Sequence, residues 1–312
     1  MIKIINTNSK IVLIASLMLC FSCKEKESAT SKPVVISTSK TEVLAPKAKL
    51  SESFRNYWYN GEAEITSYKL EQERYGEIRE GQAVLVFVTE DFLPKEQVKA
   101  DNYNEHNTPI LKMNATKNFI TGIYPYSIMQ STFYPVANNQ HALKISASVQ
   151  EWCGHVYTQL NNRDDFEVVT HSYFQGEADS TFNLEKNWTE NELWTKLRID
   201  PKSLPVGEID IIPSLEYIRL NHDELKSYKA FASLENGSYT ISYENLDRVL
   251  KINFNTNFPY DILGWEETST SGSGASEEVL TTKATKLKTL KSDYWNKKSV
   301  SDGTLRETLK LQ

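Results

Sequence analysis

The residues best suited to chemistry lie together in one short segment, residues 151–155, which read Glu-Trp-Cys-Gly-His. If this segment is a strand, Cys153 and His155 lie on the same face, because side chains two positions apart in a strand point the same way. A thiol beside an imidazole can act as nucleophile and base, and the same two groups can ligate a metal. A lone thiol is more often a small buried residue of the core. We therefore expect a buried, structural Cys153, with a ligand-binding surface, catalysis and metal binding as the alternatives.

His171 is the third candidate for such a cluster. A loop of turn-forming residues at 161–165 separates residues 153–160 from 166–174, which predicts a β-hairpin and would bring His171 near His155. The other histidines follow no metal-ligand spacing, and the chain has no phosphate-binding glycine loop, zinc-protease motif or serine-hydrolase elbow. The sequence therefore predicts no metal and no cofactor, and Cys153, His155 and His171 stay weak catalytic candidates.

Two segments rich in aromatic residues and proline, 122–135 and 258–267, are candidates for ligand binding. Aromatic side chains with a polar tip suit glycans and lipid headgroups. The alternative is that they pack the ends and corners of the folded body, which is the more common role. The residues of this weak binding prediction are Tyr124, Tyr126, Tyr260 and Trp265.

The N-terminus has the pattern of a bacterial lipoprotein signal. Ile11–Leu19 is an apolar run of nine residues interrupted only by Ser16, which is too short to span a bilayer. Ser22 then places a small residue before Cys23, as lipoprotein signal cleavage requires. We predict a signal peptide over residues 1–22 and lipidation of Cys23 with diacylglycerol and palmitate-type acyl chains. An ordinary cleaved signal peptide is the alternative.

The rest of the chain divides into a tether and a body. Residues 23–50 are predicted to form a lipidated flexible tether, since residues 24–50 have no aromatic residue and no glycine and cannot bury enough surface to fold. Residues 51–312 are predicted to form a single β-rich domain.

The net charge of −6 argues against a nucleic-acid partner. The predicted location is the cell envelope, with a lipid anchor in the outer membrane on its periplasmic or surface face.

The body has the pattern of a large antiparallel meander. Alternating residues at 228–234 and 239–243 flank Asn236-Gly237, a dipeptide that favours a type I′ hairpin turn. Residues 62–72 and 82–89 predict a second hairpin, and residues 83–88, apolar on both faces, predict a covered central strand. A lysine-rich stretch at 283–298 is expected to be a solvated edge strand. The predicted fold class is mainly β, a curved sheet or barrel-like body with one short helix near residues 189–198, where residues 189–192 form a capping box.

The lipoprotein signal, the opening at residues 57–68 and the segments at 151–155 and 258–267 resemble a family of flavobacterial lipoproteins of unknown function. Some relatives carry the label septum formation inhibitor Maf, which implies a nucleotide pyrophosphatase of compact α/β fold with an S-x-S-x-R-x-x-L-L opening. The nearest match to that motif here, residues 36–44, lacks the arginine and lies in the predicted tether.

Two functions of different class follow from the sequence. The favoured one is an outer-envelope lipoprotein whose non-catalytic β domain binds a lipid, glycan or protein partner. The alternative is an extracytoplasmic hydrolase that uses the Cys153 and His155 region. Whether the protein is an enzyme stays open at this stage, with the balance against it.

Overall fold

The structure is a computed structural model, and it describes residues 49–137, 140–271 and 278–311. By contact the chain divides into residues 1–43 and 44–312, and all the described residues belong to the second unit. The predicted signal peptide, the lipidation site Cys23 and the predicted tether up to residue 48 lie outside the described residues. Within the described residues, no helix is both long and apolar enough to cross a membrane.

The described chain is mostly β-strand, with four short α-helices. The helices are α1 (Glu52–Trp58), α2 (Glu190–Ile199), α3 (Leu215–Asn221) and α4 (Thr304–Thr308). The strands of the first half are β1 (Ala63–Arg74), β2 (Glu77–Leu93), β3 (Val98–Lys99), β4 (Thr108–Thr121), β5 (Tyr124–Pro135), β6 (Lys144–Glu151), β7 (Gly154–Asn162), β8 (Phe166–His171) and β9 (Ser180–Leu184). Those of the second half are β10 (Trp188–Thr189), β11 (Gly207–Ile212), β12 (Tyr228–Glu235), β13 (Ser238–Tyr243), β14 (Arg248–Phe254), β15 (Ile262–Ser271) and β16 (Glu278–Ser292).

All sixteen strands form one sheet, which confirms the predicted fold class. Its order runs β10 to β16, then β1, β2 and β4 to β9, with β3 paired to β2. Every pairing is antiparallel except the short parallel pair β10–β11. The two edge strands, β9 and β10, are separated by only three residues, so Leu184 and Trp188 lie at most about 14 Å apart. The sheet therefore curves until its edges come close together, and we call this place the seam.

The predicted hairpins are present with small changes. Strands β12 and β13 meet at Asn236 and Gly237, whose φ angles of 47° and 80° are those of a type I′ turn. The first hairpin is tighter than expected, because β1 and β2 extend until only Tyr75 and Gly76 join them. Their φ values are also positive, which glycine tolerates without strain. The predicted hairpin around residues 161–165 is also present, as β7 and β8.

The predicted helix near 189–198 is confirmed as α2, and Thr189 and Glu192 form both hydrogen bonds of the capping box. The helix lies against the inner face of the curved sheet. Side chains of α2 bind β1, β5 and β14, which are far apart in the sheet order, so the sheet must wrap around the helix. Nine of its ten residues are buried, including four with charged side chains. The core of the domain is therefore built around a helix that carries charges.

The lysine-rich strand β16 is not an edge strand, and that prediction is wrong. It lies between β15 and β1 in the middle of the sheet, because the two halves of the meander join there. The outer face of β1 and β2 is covered by the C-terminal segment, where Leu309 packs with Ile65 and Val88. That cover explains why residues 83–88 are apolar on both faces, as expected for a covered central strand.

Candidate functional site

The interior of the curved sheet contains a network of paired charges around the start of α2. Arg248 on β14 donates through Nη1 and Nη2 to both carboxylate oxygens of Glu190, at 2.5 and 2.9 Å, and through Nε to Glu267 at 2.7 Å. The Tyr243 hydroxyl donates to Glu190 at 2.6 Å. Burial raises the pKa of Glu267, but the charges of Arg248 and Lys117 outweigh it and hold that pKa below its ordinary value. The Glu267 carboxylate thus keeps its charge inside the protein.

A second part of the network joins α2 and α3 to the sheet. Lys117 on β4 forms an ion pair with Glu216 of α3 at 2.7 Å. Gln130 on β5 donates to Glu216 at 2.8 Å and accepts from the side-chain amide of Asn191 at 2.8 Å. A cavity of about 40 Å³ lies among these groups and Trp265. It has room for about one water molecule, so it is too small for an organic ligand.

Arg198 provides a third paired charge near the other end of α2. Its guanidinium donates to both oxygens of Glu64 on β1, at 2.6 and 2.7 Å, and to the Pro259 carbonyl at 3.0 Å. The aromatic rings of Trp58 and Phe87 lie 5.0 and 4.7 Å from the guanidinium carbon. Burial raises the pKa of Glu64, but its pairing with Arg198 outweighs this and lowers that pKa below its ordinary value.

One candidate ligand site is a cleft beside the seam, which we call the seam cleft. It has a volume of about 540 Å³. One wall is the inner face of β7, β8 and β9, and the other is α3 with the loop that follows it. The apolar lining residues are Val156, Phe182, Leu184, Leu215, Ile218 and Leu225, and the polar ones are Thr158, Thr170, Glu177, Ser180, Arg219, Asp223, Glu224 and Lys226.

The sequence places the two walls through short local signals. Ser214 caps α3 by accepting a hydrogen bond from the Tyr217 backbone N–H at 3.2 Å, which fixes where the helix begins. The helix ends at Asn221, and the capping residue His222, with a φ of 57°, turns the chain out of the helix. On the opposite wall, Val168 pairs with Phe182 and Thr170 with Ser180, so these residues share the inner face.

One hydrogen-bonded chain crosses the polar part of the seam cleft. Glu177 accepts from Ser172 at 2.7 Å and contacts His222 Nδ1 at 2.5 Å. His222 Nε2 lies 3.4 Å from Nη1 of Arg219. Burial raises the pKa of Glu177, but its hydrogen bonds to Ser172 and His222 and the charge of Arg219 lower that pKa below its ordinary value. The Phe174 ring stacks under the guanidinium of Arg219, with its centroid 4.3 Å from the guanidinium carbon.

Cys153 is exposed, so the prediction that it is buried on a strand is wrong. Strands β6 and β7 pair as far as Glu151 and Gly154, which leaves Trp152 and Cys153 as a two-residue hairpin turn. The pKa of the thiol is raised, first by a hydrogen bond to Glu151. A reactive cysteine needs a lowered pKa, so this environment does not activate the thiol.

The two candidate histidines lie on the outside of the sheet. His155 is exposed, and His171 pairs across the hairpin with Tyr157, two residues further along β7. His171 instead contacts Asp179, at 3.4 Å. Within the described ranges no three or more histidine, cysteine or acidic side chains are grouped to hold a metal ion. Cys153, His155 and His171 therefore form no metal cluster there.

The four aromatic candidates do not form one surface. Trp265 is buried in the interior between Tyr68 and Trp194. Tyr126 is buried and stacks on Phe119, and its ring centroid lies 5.9 Å from that of half-buried Tyr124. Tyr260 packs on Phe258 in the connection between β14 and β15. Tyr126, Trp265 and Tyr260 take the packing role that the sequence left open as the alternative.

The sequence reasoning missed the seam cleft because its walls come from separate segments. The signal for α3 was present, since Ser214 is a helix-capping residue and is followed by Leu215 and Ile218, three positions apart on one helix face. The signal for β9 was weak, because a five-residue strand with one leucine and one phenylalanine resembles a loop. Arg219 is buried in the wall of the cleft, but no sequence feature distinguishes it from a surface arginine.

Comparisons with known proteins provide no identification. No protein-family model and no curated protein matches the chain. A β-barrel-like protein with the domain of unknown function DUF1849 from Brucella abortus is 7% identical, with 74% of this chain and 98% of that one covered and a TM-score of 0.37. A porin-like protein from Bacteroides uniformis is 6% identical, with 72% and 95% covered and a TM-score of 0.25. Likenesses this low carry no argument about the site. The described structure itself defines a barrel-like β protein with helices inside the sheet and a cleft at its seam.

Proposed function

We propose that the protein is a lipoprotein of the cell envelope, anchored to the outer membrane through acylated Cys23, whose β domain binds a ligand without transforming it. The observation that carries the binding role is the seam cleft. Its volume of about 540 Å³ lies within the range of small-molecule sites. Apolar walls with a few polar groups at one side are also typical of such sites.

The arrangement of the candidate catalytic groups favours binding over hydrolysis. Cys153 and His155 are not among the lining residues of the seam cleft. The raised pKa of the Cys153 thiol opposes formation of a nucleophilic thiolate. The charged groups around the small interior cavity are paired with one another at 2.5 to 2.9 Å, which suits support of the helices. A mainly β fold also differs from the α/β fold that the Maf label implies.

The anchor is tested by growing cells with an alkyne-tagged fatty acid. The wild-type protein should incorporate the tag, and Cys23→Ala should lose it. Cys20→Ala is the matched control, since it removes a neighbouring cysteine from the same signal and should leave incorporation unchanged. Equal labelling of wild-type protein and Cys23→Ala would refute the anchor.

The binding role is tested by filling the cleft. Ser180 and Thr181 are neighbours on β9, with Ser180 lining the cleft and Thr181 on the exposed face. Ser180→Trp should therefore block the site, whereas Thr181→Trp adds the same side chain outside it. The small molecules extracted from protein purified from the envelope are compared by mass spectrometry. A molecule retained by wild-type protein and Thr181→Trp but lost from Ser180→Trp supports the proposal, and identical extracts from all three contradict it.

A further inference from the structure

Arg219 is a buried cation that lines the seam cleft, and the acidic group that it influences, Glu177, is linked to it only through His222. Only 8% of the residue is exposed, and its Nε has no hydrogen-bond partner. Across the described part of the chain, no carboxylate lies within ion-pair distance of its guanidinium, whose nearest contacts are the Phe174 ring and His222. Removing a charge from water without pairing it is costly. Because an anion bound in the cleft would pair with Arg219 and offset this cost, the cleft is suited to an anionic ligand.

The acidic residues of the cleft already have partners. Glu177 accepts hydrogen bonds from Ser172 and from His222. Glu224 forms an ion pair with Lys226 at 2.5 Å. Asp223 accepts a hydrogen bond from the Tyr217 hydroxyl. Burial raises the pKa of Asp223 and outweighs this hydrogen bond, which lowers it. Of the two cations that line the cleft, Lys226 is paired with Glu224, so Arg219 is the one available to pair with an anionic ligand.

The apolar walls determine what the rest of that ligand must be. Phe182 and Leu184 on β9 face Leu215 and Ile218 on α3 across the cleft. These side chains can remove an apolar chain from water, and burying apolar surface in this way stabilises binding. Arg219 follows Ile218 directly in the helix, so the cation lies at the border of the apolar wall.

We propose that the seam cleft binds an anionic amphiphile, with its carboxylate or phosphate headgroup paired to Arg219 and its apolar chain between β9 and α3. The inference rests on the binding function proposed above and specifies its ligand class. A guanidinium can donate two parallel hydrogen bonds to either headgroup, so both are the same chemistry for this site. A protein tethered at a membrane would have such molecules within reach.

The test uses the predicted mature chain from residue 23 with Cys23→Ala, so that no acyl anchor competes for the cleft. Decanoate, decyl phosphate, neutral 1-decanol and acetate are titrated by calorimetry below their aggregation concentrations. Decanoate or decyl phosphate should bind, decanol should bind more weakly, and acetate should not bind detectably. The two charged probes distinguish a fatty acid from a phospholipid-type headgroup.

Arg219→Gln should weaken binding of the charged amphiphile by about 10- to 100-fold, the range for a hydrogen bond to a charged group. It should leave decanol binding unchanged, which also reports that the variant is folded. Arg219→Lys should recover part of the affinity, and Arg163→Gln, an exposed arginine paired with Glu167, is the matched control.

The outcomes separate the two proposals. Equal binding of decanoate and decanol, with no loss in Arg219→Gln, overturns the anionic ligand and leaves the cleft as a binding site. Absence of binding by every probe overturns the amphiphile, and the Ser180→Trp comparison then decides separately whether the cleft binds anything.

Discussion

Two buried arginines, Arg248 in the interior and Arg219 in the seam cleft, have opposite surroundings. Arg248 forms three hydrogen bonds to two carboxylates. Arg219 has no carboxylate within ion-pair distance in the described structure, and its Nε has no partner. Arg248 lies in a region with a cavity of about 40 Å³, whereas Arg219 borders one of about 540 Å³. An arginine is thus paired with carboxylates in the tightly packed interior, whereas an arginine beside the larger cleft has no carboxylate within ion-pair distance.

If the seam cleft binds an anion as proposed, this difference separates a structural charge, Arg248, from a ligand-binding one, Arg219. A buried ion pair holds elements in place, and removing one member leaves the other charged and unpaired. A buried charge without a partner costs stability in the free protein, and natural sequences retain such costs mainly at functional sites. The comparison therefore predicts that the same substitution destabilises the protein strongly at Arg248 and changes its stability little at Arg219.

The largest expected effect is that of Arg248→Met, because it leaves the Glu190 and Glu267 carboxylates buried without their cation. We expect a loss of about 3–5 kcal/mol in the free energy of unfolding, the range for breaking a buried ion pair. Urea unfolding followed by tryptophan fluorescence measures it. Lys229→Met, which removes an exposed lysine paired with Asp210, is the control and should unfold at the wild-type urea concentration. A wild-type midpoint for Arg248→Met would contradict the structural role of the network.

A smaller effect is expected from acid. The folded pKa of Glu64 is below its ordinary value, whereas its unfolded pKa is about 4.3. Its stabilising contribution is therefore complete above about pH 4.3 and is lost as the pH falls towards the folded pKa. The double variant Glu64→Leu with Arg198→Met should lack this part of the acid slope in urea unfolding measured from pH 7 to pH 3. If the unfolding free energy falls equally with pH in the wild-type protein and the double variant, the stabilising Glu64–Arg198 ion pair is contradicted.

Arg219→Met should change stability much less than Arg248→Met. It removes the stacking on Phe174, worth about 2 kcal/mol for a cation that is buried away from water, but also a buried unsatisfied donor that costs about 1–3 kcal/mol. These two contributions nearly cancel, so we expect an unfolding free energy within about 1 kcal/mol of the wild-type value. The same urea experiment measures it, and a loss as large as that of Arg248→Met would show that Arg219 is a structural residue.

The smallest expected effect on stability is at Cys153. Because the thiol is exposed in a turn, Cys153→Ser should unfold at the wild-type urea concentration. Its hydrogen bond to Glu151 raises the thiol pKa, so labelling of the native protein by iodoacetamide should be slow at pH 7 and speed up as the pH rises. Glu151→Gln should lower the thiol pKa and accelerate labelling at pH 7. Fast labelling of the wild-type protein at pH 7 would restore Cys153 as a candidate nucleophile.

The fold was largely predictable from sequence because its signals are local. The alternation of β12 and β13, the Asn236-Gly237 turn and the capping box of α2 are each readable within a dozen residues. The position of α2 inside the sheet was not readable, because the partners of its charged side chains lie up to 134 positions away in the chain. Residues such as Glu190 and Arg198 look like surface residues until those partners are known.

The candidate site was less predictable for the same reason. The Cys153 and His155 prediction assumed that residues 151–155 continue a strand, but the pairing of Glu151 with Gly154 closes a turn there. Turn position depends on the register of two strands, which the alternation of either strand alone does not specify. The seam cleft combines β9 with α3, and only the curvature of the complete sheet brings them together.

The most direct test of the account is hydrogen–deuterium exchange of the predicted mature chain with and without saturating decanoate. Binding in the seam cleft should slow exchange at the backbone amides of β9, residues 180–184, and of residues 218–226, and leave β13 and β14 unchanged. Slower exchange confined to other strands, or no change anywhere despite binding, would contradict the claim that the seam cleft is the ligand site.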